Sequence, residues 1–138
     1  MIVVLDTNVI ISVLLSPSGP PAEIIHRWEA SEFDVAVSSA LVAELEKALA
    51  YPHVARYHKL SKEQVDDFLK GYSTVALFVE PQLRLEVVSD DPGDDRVLEC
   101  AVEAGVSYIV TGDQHLLDLK EYRGIMSLPP AGFLVLLT

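Results

Sequence analysis

The sequence predicts an α/β fold with a central parallel β-sheet and helices on both of its faces. Short apolar runs alternate along the chain with longer segments of helical periodicity, as in parallel strands joined by helical crossovers. The first run, Ile2–Leu5, is apolar without alternation, which is typical of a strand buried on both faces. At 138 residues, we expect one domain spanning residues 1–138.

In the first half of the chain, turn and capping residues set the boundaries of the elements. Ser16–Pro21 is rich in Ser, Gly and Pro and separates two helices. Ser38 or Ser39 caps a third helix, and Ser61 with Gln64 forms a capping-box pattern that starts a fourth. The predicted strands are Ile2–Leu5, Asp34–Ser38 and Val75–Val79, and the predicted helices are Val9–Leu15, Ala22–Ala30, Ser39–Ala50 and Ser61–Tyr72.

In the second half, an acid-rich turn at Ser89–Asp95 leads into a helix that Gly105 closes. The pattern alternates between helix and strand as before, which keeps the sheet parallel. The predicted elements are an extended piece at Arg84–Val88, helices at Arg96–Ala104, from Leu116 and at Pro130–Leu137, and strands at Tyr108–Thr111 and Gly124–Leu128.

The charge of the chain is strongly acidic, with a net charge of −11 from 21 acids and 10 Lys and Arg. This balance argues against extensive binding to a nucleic-acid backbone. The cations are unevenly distributed, however, because the segment from Lys47 to Lys62 contains no acid. The cationic and imidazole side chains within that segment are Lys47, His53, Arg56, His58, Lys59 and Lys62.

Three features predict a cytoplasmic protein without a membrane segment. The lone Cys100 has no partner for an internal disulfide. No apolar run approaches the length that spans a bilayer. The first apolar run meets Asp6 too early for a signal peptide and has no basic residue before it.

Four segments of the chain carry acids whose side chains are expected to converge at one place in the fold. Asp6 and Asp113 each follow a buried strand, so both should lie at the same edge of the sheet. Glu44 borders the inward stripe of its helix, and Asp94 and Asp95 open the helix at Arg96–Ala104. Helices that start at this edge would aim their acids at Asp6.

Converging carboxylates repel one another and are tolerated when a divalent cation neutralises them. Oxygen ligands suit Mg²⁺ or Mn²⁺, and the four histidines show no metal-binding spacing. Each acid also has a simpler interpretation. Asp6 and Asp113 could cap the helices that follow them, Glu44 could be a solvated helix residue, and Asp91 fits an N-cap before Pro92. If Asp91 is the N-cap, Asp94 interacts favourably with the helix dipole. Asp95 is then the predicted metal ligand, and Asp94 is the competing candidate for that role.

Four segments in order resemble the motifs of the PIN domain family, in particular its small prokaryotic toxins of the VapC type. They are Val4-Leu-Asp-Thr-Asn-Val-Ile10, Ser38-Ser-Ala-Leu-Val-Ala-Glu-Leu45, Asp91-Pro-Gly-Asp-Asp-Arg-Val-Leu-Glu-Cys-Ala101 and Tyr108-Ile-Val-Thr-Gly-Asp113. The resemblance implies a Mg²⁺- or Mn²⁺-dependent ribonuclease, inhibited by an antitoxin protein and commonly a homodimer. It matches the family's acids to Asp6, Glu44, Asp95 and Asp113, although the turn at residues 91–95 is richer in acids than the toxin pattern.

Further residues complete the predicted site. Thr7, Asn8 and Thr111 are expected to orient the carboxylates. The segment Tyr51–Lys62 is the predicted RNA contact, or alternatively a solvated loop and helix start. If the segment contacts RNA, its cationic side chains would bind phosphates and a base would stack on Tyr51 or Tyr57. The predicted RNA-binding residues are Arg56, Tyr57, Lys59 and Lys62.

Two alternative functions fit parts of the pattern. A phosphotransferase of the haloacid dehalogenase type also begins with an Asp after a buried strand, but it requires a second Asp where Asn8 stands here. A non-catalytic module could use the same carboxylates to hold a metal or a basic peptide.

Overall fold

The computed structural model describes residues 1–88 and 91–138, and it confirms the α/β fold. A six-stranded sheet has the order β3-β2-β1-β4-β6-β5. Every pairing is parallel except that of β5 with β6. The strands are β1 at Ile2–Leu5, β2 at Asp34–Val37, β3 at Leu77–Phe78, β4 at Tyr108–Val110, β5 at Glu121–Tyr122 and β6 at Ile125–Leu128.

Helices connect these strands and cover the sheet. Val3 and Val4 of β1 are both 0% exposed, and because neighbouring strand residues point to opposite faces, both faces of the sheet are covered. The helices are α1 at Thr7–Leu15, α2 at Pro20–Glu29, α3 at Ser39–Leu49, α4 at Pro52–His58, α5 at Lys62–Val75, α6 at Pro92–Ala104, α7 at Gln114–Leu119 and α8 at Pro130–Leu137. Among the described residues, no helix is long and apolar enough to cross a membrane.

Several predicted boundaries follow from the expected caps. Ser38 caps α3, and Ser61 and Gln64 form the capping box of α5. Asp91 caps α6 by accepting from Gly93 N, so this helix begins at Pro92 rather than at Arg96. Gly105 closes α6 with a left-handed φ of 65°, a conformation that glycine adopts without steric cost.

Helix α4 was not predicted. Pro52 does end α3, but it also occupies the first turn of a new helix, where its fixed φ is favourable. The His58 ring joins α4 to its neighbours, since Nε2 lies 2.9 Å from Leu49 O and Nδ1 accepts from Leu60 N at 2.9 Å. The short antiparallel strand β5 was also missed.

The chain forms no strand at the predicted extended piece, although all of its residues are described. Residues 82–88, which we call the strap, instead run along α6 and are held by its carboxylates. Glu103 accepts from Gln82 N at 3.0 Å, and buried Glu99 accepts from Leu85 N at 2.8 Å. Asp95 accepts from the backbone N–H groups of residues 87 and 88 at 2.9 and 2.8 Å. Ser89 and Asp90 of the predicted acid-rich turn lie outside the described residues.

Candidate metal centre

The ends of β1 and β4 form the base of an acidic cleft. Leu5 pairs with Val110, so Asp6 and Thr111 leave the sheet side by side. Asp6 Oδ1 accepts from Thr7 N at 2.7 Å, and Asp6 Oδ2 accepts from the Thr111 hydroxyl at 2.7 Å. Asp6 is therefore both the N-cap of α1 and a buried acid of the cleft, so the two interpretations of this residue coexist.

Thr111 and Asn8 fix the orientation of the two strand-end acids. The Thr111 hydroxyl donates to Asp6 and also accepts from Asp113 N at 2.9 Å. The Asn8 amide donates to Asp6 Oδ2 at 3.4 Å and accepts from Gly112 N at 3.2 Å. Thr111 and Asn8 thus contact the Asp6 carboxylate through their side chains, whereas Thr7 contacts it through its backbone.

Helix α6 contributes Asp91 and Asp94 to the cleft. Asp94 is 4% exposed. Within the part of the chain that the structure describes, its Oδ2 has no hydrogen-bond partner. A buried carboxylate oxygen normally has a partner, because burying it without one is costly. The Asp94 carboxylate is therefore suited to a ligand in the cleft.

Asp95, the predicted third ligand, is directed elsewhere. Its Oδ1 accepts from two backbone N–H groups of the strap, and it is absent from the described residues that line the cleft. Neighbouring helix residues differ in direction by about 100°, so Asp94 and Asp95 cannot both face the same cleft. The structure thus brings the competitor Asp94 to the other acids and leaves Asp95 outside.

Glu44 reaches the cleft from α3, and Gly93 makes room for it. A Cβ at residue 93 would lie 3.1 Å from Asp91 Oδ1 and 3.4 Å from Glu44 Oε1. A side chain at this position would therefore press on two carboxylates. The cleft has a volume of about 330 Å³ and is lined by Asp6, Thr7, Asn8, Ile11, Ser12, Glu44, Ala48, Val54, Asp91, Asp94 and Asp113.

His115 completes the cluster and was not predicted. One ligand atom from each of Asp91, Asp94, Asp113 and His115 lies within 4.8 Å of the other three. The backbone N–H of His115 donates to Asp113 Oδ1 at 2.8 Å, so Asp113 caps α7 while lining the cleft. The spacing of the four histidines could not reveal His115, whose proximity to Asp113 in sequence was the only signal.

Comparison with known proteins decides the family. The sequence pattern of the PIN domain matches residues 2–115. The chain belongs to the PIN domain family. This membership removes the haloacid dehalogenase alternative. PIN domains are generally nucleases that use divalent metals, and the acidic cluster is compatible with that activity.

Three individual proteins are similar to this chain in sequence or in fold. A protein of Methanocaldococcus jannaschii, "uncharacterized protein MJ1680", is 27% identical over 119 residues, which cover 86% of this chain and 75% of that protein. The structure of VapBC2 from Rickettsia felis, bound to a promoter DNA fragment, has a TM-score of 0.62 at 15% identity, covering 94% and 98% of the two chains. VapBC-1 from nontypeable Haemophilus influenzae has a TM-score of 0.61 at 16% identity, covering 95% and 99%. The two structures share the fold.

The PIN cleft raises the pKa values of Asp6, Glu44 and Asp94. Burial raises the pKa of Asp94 to about 8, with further contributions from the charges of Asp113, Asp91 and Asp6. Burial is also the main cause of the raised pKa of Asp6, and it acts together with neighbouring acids on that of Glu44. In the metal-free protein, Asp6, Glu44 and Asp94 therefore retain their protons to higher pH than isolated carboxylates do.

The donors of the PIN cleft fit a divalent cation. The cluster offers carboxylate oxygens, which hard dications prefer, and the Asp94 oxygen that lacks a protein partner among the described residues. A dication would neutralise the repulsion between these carboxylates. The residues placed to hold it are Asp6, Asp91, Asp94 and Asp113, with Glu44 on the facing helix.

The predicted RNA-binding residues are exposed around α4, a helix that also lines the PIN cleft, and at the start of α5. Val54 of α4 lines the cleft, while Arg56, Tyr57 and Lys59 are exposed around the same short helix. The Arg56 guanidinium lies over the Tyr57 ring, 5.5 Å from its centroid. Lys62 is exposed at the start of α5. We refer to these exposed residues around α4 and at the start of α5 as the cationic surface.

Proposed function

We propose that this protein is a Mg²⁺- or Mn²⁺-dependent endoribonuclease that hydrolyses phosphodiester bonds, and that it is the toxin of a toxin–antitoxin pair. One observation carries the proposal. The Oδ2 atom of Asp94 is buried among other acids and has no hydrogen-bond partner in residues 1–88 and 91–138. Such an arrangement is costly in a protein without a cation. The PIN family membership supports the same chemistry.

The residues have distinct roles in this proposal. The cation would be held by four carboxylates, those of Asp6, Asp91, Asp94 and Asp113. This assignment puts Asp94 in the place predicted for Asp95. When bound, a dication lowers the pKa of water and stabilises the charge that develops on the phosphate. Glu44 has a raised pKa and is half-buried, so it can take the proton of the attacking water. Thr111 and Asn8 hold the Asp6 carboxylate in one orientation.

RNA reaches the cleft through the cationic surface. The positive charges of Arg56, Lys59 and Lys62 bind phosphates. Tyr57 is 65% exposed, so a base can stack on its ring. The remaining surface is acidic, so the backbone is held locally rather than along the whole protein. This arrangement favours a short single-stranded segment over a long duplex.

The proposal predicts that Asp6→Asn lowers RNA cleavage by about 10–100-fold. The amide keeps the oxygen that accepts from Thr7 N but removes a charge that the cation needs. Cleavage of a labelled RNA is measured with Mn²⁺, with Mg²⁺ and with EDTA. Asp66→Asn is the matched control, because Asp66 is exposed on α5. Equal cleavage by wild type and Asp6→Asn would refute the assignment, and metal binding without cleavage would indicate the non-catalytic module instead.

The cationic surface is tested with the double variant Arg56→Glu, Lys59→Glu in the Asp6→Asn background, where RNA stays intact. We expect the slope of log affinity against log salt to fall by about 1.4, since each single-stranded phosphate contact contributes about 0.7. Fluorescence anisotropy with a labelled RNA measures both quantities. Lys70→Glu on the exposed face of α5 is the control and should leave the slope unchanged. Unaltered RNA affinity in the double variant would remove the assignment.

An antitoxin is the proposed protein partner, because both structural neighbours are VapBC proteins. An apolar groove of about 610 Å³ between α1, α2 and α5 is available to it, lined by apolar residues that include Leu14, Trp28 and Phe68. Asp34 and Asp67 also line this groove, which favours a partner with apolar and basic side chains. The homodimer stays a prediction, for which Val135 and Leu136, 72% and 49% exposed on α8, supply apolar surface.

A further inference from the structure

His115 faces the acidic cluster from the first turn of α7. Its Nδ1 lies 3.6 Å from Asp113 Oδ1 and 3.9 Å from Asp94 Oδ2. Both separations exceed those of a hydrogen bond, so the imidazole and the two carboxylates approach one point without contacting each other. Atoms arranged in this way have space between them for a shared ligand.

The separations agree with the geometry of a single metal ion. Bonds of about 2.1 Å place neighbouring ligands of an octahedral ion about 3 Å apart and opposite ligands about 4.2 Å apart. The Nδ1 distances of 3.6 and 3.9 Å fall within this interval. The four candidate ligand atoms all lie within 4.8 Å of one another, so small side-chain adjustments bring them onto one ion.

A second observation points to a ligand at the same position. Asp94 is 4% exposed, and its Oδ2, the atom nearest His115, has no hydrogen-bond partner anywhere in the described chain. The imidazole side chain is 50% exposed, so it can rotate towards an ion that enters from solvent. The buried oxygen and the mobile nitrogen therefore face each other across the space that the ion would fill.

We propose that His115 supplies Nδ1 as a nitrogen ligand to the dication held by Asp91, Asp94 and Asp113, and that the site thereby prefers Mn²⁺ to Mg²⁺. The proposal rests on the proposed function for the presence of a dication in this cluster. It extends that function by replacing an all-oxygen site with a mixed nitrogen and oxygen site.

The chemistry of the ligands gives the preference. Mg²⁺ binds oxygen and retains several waters. First-row transition-metal dications also bind nitrogen ligands, and Mn²⁺ binds them the least strongly of these ions. An imidazole ligand therefore adds affinity for Mn²⁺ and little for Mg²⁺. The competing role for His115 is that of a protonated counter-charge to the acids. That role requires a proton on the nitrogen that would bind the metal, so the two roles are distinguishable.

Pulsed electron paramagnetic resonance of Mn²⁺ bound to the full chain tests the proposal, because it detects nitrogen coordinated to the ion. We expect nitrogen coupling in the wild type and its loss in His115→Gln. Competition calorimetry should show Mn²⁺ affinity about 10–100-fold lower in His115→Gln, with Mg²⁺ affinity within about threefold of wild type. His115→Asp, which restores an oxygen ligand, should shift the preference towards Mg²⁺. His26→Gln, at an exposed position on α2, is the matched control and should behave as wild type.

Two results would overturn the inference: Mn²⁺ bound by wild type without nitrogen coupling, or an unchanged ratio of Mn²⁺ to Mg²⁺ affinity in His115→Gln. A wild type that shows nitrogen coupling but cleaves no RNA supports this inference and contradicts the proposed function. A wild type that binds Mg²⁺ but no Mn²⁺ contradicts this inference alone, and one that binds neither ion contradicts both.

Discussion

Asp94→Asn is expected to make the metal-free protein more stable above neutral pH while lowering RNA cleavage by at least about 10–100-fold, the loss typical of residues that support a metal site. The folded protein raises the pKa of Asp94 from 3.8 to about 8, so the folded state binds more protons than the unfolded state between these values. Stability due to this group is complete below pH 3.8 and is lost as the pH rises through 8. Removing the charge should therefore stabilise the metal-free protein by about 2–4 kcal/mol at high pH.

Urea unfolding in EDTA from pH 5 to pH 8.5 measures this effect. The wild-type free energy of unfolding should fall across the range, and that of Asp94→Asn should fall less. A shallow slope should remain, because Asp6 and Glu44 also have raised pKa values. Asp66→Asn should follow the wild type. Adding Mn²⁺ should stabilise the wild type more than Asp94→Asn. Parallel pH curves for wild type and Asp94→Asn would show that Asp94 carries no unfavourable charge in the fold.

Asp95→Ala is expected to lower the free energy of unfolding by about 2–4 kcal/mol and to leave metal binding intact. The substitution removes the oxygen that accepts from Val87 N and Val88 N. Each buried N–H group left without a partner costs about 1–3 kcal/mol. The carboxylate is directed at the strap rather than the cleft, so the folded variant should bind Mn²⁺ as tightly as the wild type does.

Two variants control for this effect. Asp95→Asn keeps an oxygen acceptor and should lose less stability than Asp95→Ala. Glu103→Ala removes a similar contact to the strap at an exposed position and should cost less than about 0.5 kcal/mol. Denaturation and calorimetry on the same samples separate folding from binding. If folded Asp95→Ala binds no Mn²⁺, Asp95 is a metal ligand as the sequence first predicted.

Much of the fold was predictable because its signals are local. The apolar run at Ile2–Leu5 gave the central strand, and Ser61 with Gln64 gave the start of α5. Other signals were ambiguous at short range. Pro52 both ends one helix and begins the next, so α4 was missed. The apolar residues of the strap predict an extended piece. They pack without forming a strand because carboxylates of α6, rather than a neighbouring strand, accept their backbone hydrogen bonds.

The candidate site was predictable to the same extent. Asp6 and Asp113 follow strands that pair in register, so the sequence alone indicated that they would meet. Glu44 followed from its position beside the inward stripe of α3. Asp91 was recognised only as a cap because capping is a local property, whereas its place in the cleft depends on how α6 lies on the sheet. The spacing of the histidines does not predict the place of His115, because Asp91 and Asp94 come close to it only in the tertiary structure.

The sequence by itself determined the α/β architecture and the convergence of acids at one edge of the sheet. The reason is that a short run of residues is enough to show that a strand is buried and where it ends. Only the tertiary structure decided whether each α6 carboxylate points into the cleft or towards the strap. Neighbouring helix residues point about 100° apart, and the packing of buried Leu98 and Ala101 fixes the rotation of the helix. That rotation turns Asp94 into the cleft and Asp95 towards the strap.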